Sequence, residues 1–152
     1  MPKASVKRLI ECKKEDLIKL VLDIEKYPEF VPFCFDAKVY ENKNEGDLTK
    51  IIADLTIGKG LFKDTYKSDV VFDKSKDSIF VKNIDGPLNH LSNNWKFTDK
   101  KNGITEITFD IDFEIKNKFL NSLMVVSFQF GLEKIADAFQ KRAEELFSSS
   151  KN

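Results

Sequence analysis

The chain has 152 residues, with 25 Lys plus Arg set against 25 Asp plus Glu, so its formal net charge is zero. That length is one domain, and a compact domain of this size hides roughly 70% of the surface its unfolded chain exposes, enough for a core with a hole in it. A neutral chain lacks the positive excess on which phosphate neutralisation rests, which excludes DNA as an expected partner and leaves RNA only a local patch.

The N-terminal residues Met-Pro-Lys-Ala-Ser-Val-Lys-Arg contain no apolar h-region, and no apolar run reaches the ~18 residues of a membrane span. The expectation is a cytoplasmic protein whose membrane contact, if it makes any, is peripheral and on the inner face. Residues 4–10 read as a first strand, and residues 14–24 as a helix with Leu17, Ile18, Leu20, Val21 and Ile24 on its apolar side. Pro28 and Pro32 then forbid a long continuous helix, so residues 26–34 read as a short second helix and a turn.

A series of strands follows. Residues 35–41 form the first, closed by a polar turn at 42–46. Residues 48–57 alternate, with Ile51, Ala53, Leu55 and Ile57 on one face. Gly58-Lys59-Gly60 reads as a hairpin loop without phosphate-loop spacing, and residues 62–72 alternate again through Phe62, Tyr66, Val70 and Phe72. Strands at 78–84 and 91–97 are separated by the turn Asp85-Gly86-Pro87. Ile107, Phe109, Ile111, Phe113 and Ile115 give the cleanest period of two, so that one face of this strand is buried and the other wet. Turns at this spacing imply antiparallel hairpins.

Residues 117–148 read as one long helix and 149–152 as a frayed tail. Phe128, Leu132, Ile135, Phe139, Ala143 and Leu146 recur at helical steps in its second half, whereas its first half, 119–130, is apolar nearly all round. The predicted class is α+β, a helix-grip fold: a curved antiparallel sheet of about seven strands curls around the C-terminal helix, in one domain over residues 1–148. The 14 phenylalanines, against one Trp and three Tyr, suit a greasy interior.

Three stretches resemble the coenzyme Q-binding protein and RatA family of the START-like superfamily. They are Val21-Leu22-Asp23-Ile24-Glu25-Lys26-Tyr27-Pro28-Glu29-Phe30-Val31-Pro32-Phe33-Cys34; Asp85-Gly86-Pro87-Leu88-Asn89-His90-Leu91 with Trp95-Lys96-Phe97; and Asp112-Phe113-Glu114-Ile115 with Phe119-Leu120 and, in the helix, Phe139-Gln140-Lys141-Arg142-Ala143. The resemblance implies a lipid cavity between sheet and helix. It also implies non-enzymatic binding of ubiquinone or a similar polyprenyl lipid, as a carrier or chaperone for respiration. The alternative that it implies is a RatA-like ribosome-associated toxin that blocks subunit association by contact with the large ribosomal subunit. Lys100, Lys101, Lys116 and Lys118 are the candidate RNA contacts for that alternative.

The candidate ligand-binding residues are Tyr27, Phe30, Val31 and Phe33 after the first helix, Leu55, Ile57, Phe62, Tyr66, Trp95 and Phe113 on strands, and Phe119 and Leu123 in the long helix. Tyr66, Asn93 and Trp95 are the candidates for orienting a polar head. Phe30, Val31, Pro32, Phe33, Leu61, Phe62 and Phe119 are expected to form an apolar rim at the cavity mouth. No cofactor beyond the bound lipid and no metal is expected. His90 is the only histidine and reads as structural; Cys34, between Phe33 and Phe35, reads as a packed thiol; Cys12 has no assigned role. Asp110, Asp112 and Glu114 share one outward strand face and read as solvated.

Overall fold

The computed structural model describes residues 3–59 and 61–147; of these, the side chains of 59, 62, 120 and 123–127 lie outside the description. Strand β1 (Lys3–Glu11) leads into helix α1 (Lys14–Leu22), a single 3₁₀ turn (Ile24–Lys26) and the short helix α2 (Tyr27–Phe30). Six strands follow: β2 (Cys34–Glu45), β3 (Leu48–Lys59), β4 (Phe62–Asp73), β5 (Ser78–Asp85), β6 (Leu88–Asp99) and β7 (Ile104–Ile115). Helix α3 (Lys118–Phe147) closes the chain. The seven strands form one antiparallel sheet in the order β1-β7-β6-β5-β4-β3-β2. The helix-grip expectation holds.

Helix α1 stops at Leu22 rather than at residue 24 because Asp23 leaves helical geometry while its N–H still bonds back to Lys19 and Leu20. Ile24 remains buried, now on the 3₁₀ turn. Residues 42–45 are strand, not turn: β2 runs to Glu45, and Gly46 at φ +61° makes the reversal. Polarity misleads there because this end of the edge hairpin has water on both faces. Its charges answer one another across the ladder, with Lys50 and Glu45 3.1 Å apart. Gly58 and Lys59 likewise extend β3 beyond the predicted loop.

Burial is uneven along β3 and β7. On β3, Ile51 is 1% exposed and Ile57 38%. On β7, Thr105 and Ile107 are fully buried, while Ile111 and Ile115 are half-buried. The closed end is filled by α3, where Phe139 (1% exposed) sits with its ring centroid 5.4 Å from Tyr27, 5.1 Å from Phe30 and 5.2 Å from Trp95. Trp95 in turn packs on Phe109 at 4.2 Å. Beyond this cluster α3 outruns the core, and Leu146, expected on the apolar face, is 55% exposed.

Helix α3 also covers the exposed backbone of edge strand β1. Gln129 and Gln140 donate to the carbonyls of Ser5 and Leu9, and Glu144 accepts from the Glu11 N–H. Arg8 reaches Asp137 at 2.6 Å. These bonds satisfy groups that would otherwise template pairing with another chain.

Two substitutions test the account. Phe139→Ala removes the ring on which three others converge, and should cost about 3–5 kcal/mol in denaturant unfolding. Gly86 sits at φ +130°, and a Cβ there would lie 2.8 Å from the Tyr66 Cα. Gly86→Ala should therefore lower stability by roughly 1–3 kcal/mol, through both strain and collision; an unchanged unfolding midpoint would contradict that geometry.

Candidate ligand site

Residues paired directly across a sheet share a face, so the register identifies the inner wall. One rung runs Ile51, Val70, Val81, Asn93, Ile111 and Ala4. It is apolar except for Asn93. Further toward the open end lie the inner positions Ala53, Ser68 and Asn83, then Leu55 and Tyr66, and on β6 and β7 Leu91 and Phe113.

The four polar residues among these differ in their bonding. The buried Ser68 hydroxyl donates to the Ala53 carbonyl at 3.2 Å. Asn83 uses both ends of its amide, accepting from the Leu91 N–H at 2.9 Å and donating to the Leu88 carbonyl at 3.2 Å. It thereby holds the register shift between Leu88 and His90. Asn93 Oδ1 is buried and has no hydrogen-bond partner among the described residues. The Tyr66 hydroxyl also makes no hydrogen bond among them, and desolvation raises its pKa well above the ordinary tyrosine value, so it stays a neutral O–H. Asn93 is level with Val70, and Tyr66 lies further along β4 toward the open end. The lone polar groups are thus staggered along an apolar wall.

The expected ligand residues separate into groups. Leu55 and Tyr66 pair on the inner face. Phe113 is buried there with its ring 4.5 Å from Phe128 of α3, which joins sheet to helix at the open half. Tyr27 and Phe30 turn inward to the Phe139 cluster instead of the mouth, and the Tyr27 hydroxyl donates to the Val21 carbonyl. Trp95 packs at the same end, with its ring centroid 5.2 Å from that of Phe139. Val31 is partly buried against the core. Ile57 and Phe119 are exposed. The side chains of Phe62 and Leu123 lie outside the described residues.

Two of the expected rim segments meet, whereas the start of α3 is tied to the β5–β6 turn. The Gly58 N–H donates to the Phe33 carbonyl at 3.0 Å, tying the stretch after α2 to the β3–β4 hairpin. Phe33 adopts φ +71°, and its ring faces Gly131 of α3, where an added Cβ would lie 3.8 Å away. The Lys116 N–H donates to the Pro87 carbonyl at 2.9 Å, which fixes the start of α3 against the β5–β6 turn.

Burial raises the Cys34 thiol to about 11, and the Cys12 thiol likewise to about 11, so neither is a ready nucleophile near neutral pH. His90 is half-exposed on the outer face with Nε2 3.7 Å from Asp112, and Asp110 accepts from Ser5 at 2.5 Å. Neither acid converges on the interior. Asn83 and Phe128 are the site residues that went unassigned in the sequence. Asn83 interrupts an otherwise apolar alternation, and that break was its signal.

A family model described as "Polyketide cyclase / dehydrase and lipid transport" matches residues 10–140. The ribosome association toxin RatA of Rickettsia prowazekii is 31% identical over 142 residues, covering 91% of this chain and 94% of the relative. The mitochondrial coenzyme Q-binding protein COQ10 of Dictyostelium discoideum is 33% identical over 135 residues, covering 86% of this chain and 63% of the relative. Among solved structures, a START superfamily protein from Mycobacterium smegmatis superposes with a TM-score of 0.80 at 19% identity, covering 95% of this chain and 98% of its own. Zhui aromatase/cyclase from Streptomyces sp. R1128 superposes with a TM-score of 0.78 at 12% identity, over 94% and 93% of the two chains. At such identities these two structures speak for the fold alone. With the family model matched over most of this chain and the RatA relative 31% identical across 94% of its own length, the chain belongs to the polyketide cyclase/dehydrase and lipid transport family, which is START-like in fold.

Proposed function

We propose that this protein is a non-enzymatic carrier that holds ubiquinone, or a similar polyprenyl lipid with a small polar head, between the open half of its sheet and α3. The observation that carries the reading is a pair of polar groups without a hydrogen-bond partner among the described residues, Tyr66 Oη and the buried Asn93 Oδ1, on an inner wall whose other polar side chains, Ser68 and Asn83, bond to the sheet's own backbone. An isoprenoid tail offers hydrocarbon only, and its transfer from water to such a wall is favourable by about 25 cal/mol per Å². A quinone head adds carbonyl acceptors, and its reduced form adds hydroxyl donors. A neutral tyrosine donates to the first, and a primary amide serves both.

Acid–base chemistry has little to work with inside. Ser68 and Thr105 are the buried polar residues among those described, and both already donate to carbonyls. A positioned group with a pKa near neutrality is what an aromatase/cyclase reading would require.

Ribosome association is the second reading, and the RatA relative at 31% identity favours it. The lysines expected to contact RNA do not form one patch, however. Lys100 and Lys101 precede the 12-residue strand β7 and Lys116 and Lys118 follow it, which separates the pairs by about 40 Å. Co-sedimentation with large ribosomal subunits that weakens in raised salt would support this reading.

The carrier reading predicts that organic extracts of the natively purified protein contain a prenylquinone by mass spectrometry. The double substitution Tyr66→Phe, Asn93→Leu should weaken quinone binding by about tenfold per lost hydrogen bond at unchanged fold. Phe113→Asp should abolish it and destabilise the protein by roughly 3 kcal/mol or more, because it buries a lone carboxylate beside Phe128. Quinone-free extracts, together with Trp95 fluorescence that ignores added quinone, would sink the reading.

A further inference from the structure

We infer that the open end of the grip is a docking surface for an anionic lipid bilayer, with the tip of the β3–β4 hairpin and the first turn of α3 as its two prongs. Leu61 at the hairpin is 99% exposed, and Phe119 at the start of α3 is 69% exposed. Ile57, Ile84 and Phe35, at the same end of their strands, are exposed large apolar residues as well. The register brings them to one end: Cys34 pairs with Ile57, Gly58 with Lys63, and Leu88 with Ile115. The Lys116–Pro87 backbone bond adds the start of α3. An apolar array of this kind is at a disadvantage in water and is accommodated at a bilayer interface.

Charge identifies which bilayer. Both prongs set lysines beside their apolar residues, as Lys59-Gly60-Leu61-Phe62-Lys63 and as Lys116-Asn117-Lys118-Phe119. Lys63, Lys116 and Lys118 make no ion pair among the described residues, and Lys63 lies 4.1 Å over the Phe35 ring. The nearby carboxylates are turned to their own backbone: Asp36 accepts from the Ala37 N–H, Asp64 from Thr65 and Asp85 from Gly86, at 2.8–3.0 Å. Lysines free beside apolar tips suit a surface that is hydrocarbon beneath anionic headgroups. A zero net charge over the chain does not oppose this, because acids such as Glu106 and Asp110 lie further back along β7, away from the prongs.

The surface rests on the carrier reading only for its purpose, since it lies where cargo enters; the docking itself is tested without cargo. The full-length protein is sedimented with quinone-free phosphatidylcholine vesicles, with and without about one-third phosphatidylglycerol. The wild type should bind the anionic vesicles and release in high salt. Lys63→Gln with Lys118→Gln should weaken binding about fivefold per lysine on anionic vesicles. Leu61→Ser with Phe119→Ser should weaken it about tenfold or more. Trp95 emission and thermal unfolding report whether each variant is folded. As a second measurement, Leu61→Trp in a Trp95→Phe background should shift its emission to the blue on anionic vesicles. Absence of wild-type binding, equal binding to neutral and anionic vesicles, or equal binding by folded variants each overturns the inference. Wild type that docks but yields no quinone overturns the carrier reading alone, and wild type that holds quinone but sediments with neither vesicle overturns the docking surface alone.

Discussion

The structure depends on one covering problem. A seven-stranded antiparallel sheet with an apolar inner face has a single long helix to hide it, and that helix must also close the β1 edge. At 30 residues α3 is about 45 Å long, comparable with the roughly 40 Å of a 12-residue strand, so its reach along the sheet is sufficient. Its width is not. Bound to β1 by Gln129, Gln140 and Glu144, it lies toward one side, and the wall formed by β3 and β4 needs another cover. Helix α2 packs against β2 and meets α3 through Tyr27 and Phe30, whose rings converge on Phe139. Toward the open end the cover is thinner: Leu55, Ile111 and Ile115 are half-buried, while Phe113 is buried under Phe128.

The same problem explains why much of the fold was legible and part of the site was not. Period-two alternation in β3, β4 and β7 reflects a sheet with one wet face, and the helical recurrence from Leu132 to Ala143 reflects the seam that fills the closed end. Those patterns arise from local geometry, which sequence carries directly. The polar run 42–45 reads as a turn because an edge strand in water needs no apolar face; turn and exposed strand then have the same composition. Phe30 is apolar in either position, so neither periodicity nor composition distinguishes a rim residue from a core residue. Its inward direction follows from the Phe139 ring and from Arg142, stacked 5.1 Å away, both more than a hundred positions later in the chain. Leu146 fails for the converse reason: helical phase continues after the sheet beneath it has ended.

A comparison of two asparagines on adjacent strands bears most closely on function. Asn83 and Asn93 both interrupt apolar inner positions, although Asn93 alone of the two is a sequence candidate for orienting a polar head. Asn83 is satisfied at both ends of its amide by the β6 backbone, where it compensates for a register shift. It is a structural device, and its cost of burial is offset by the two bonds. Asn93 has a buried carbonyl oxygen without a donor, a state that costs about 1–3 kcal/mol. Its rung neighbours are Val81 and Ile111, so a Leu or Val at this position would fit the pattern around it and avoid that cost. Stability therefore gives no reason for the amide. On the proposed carrier reading, the donor that Asn93 Oδ1 lacks would be a hydroxyl of a reduced quinone head, since the carbonyls of the oxidised head only accept.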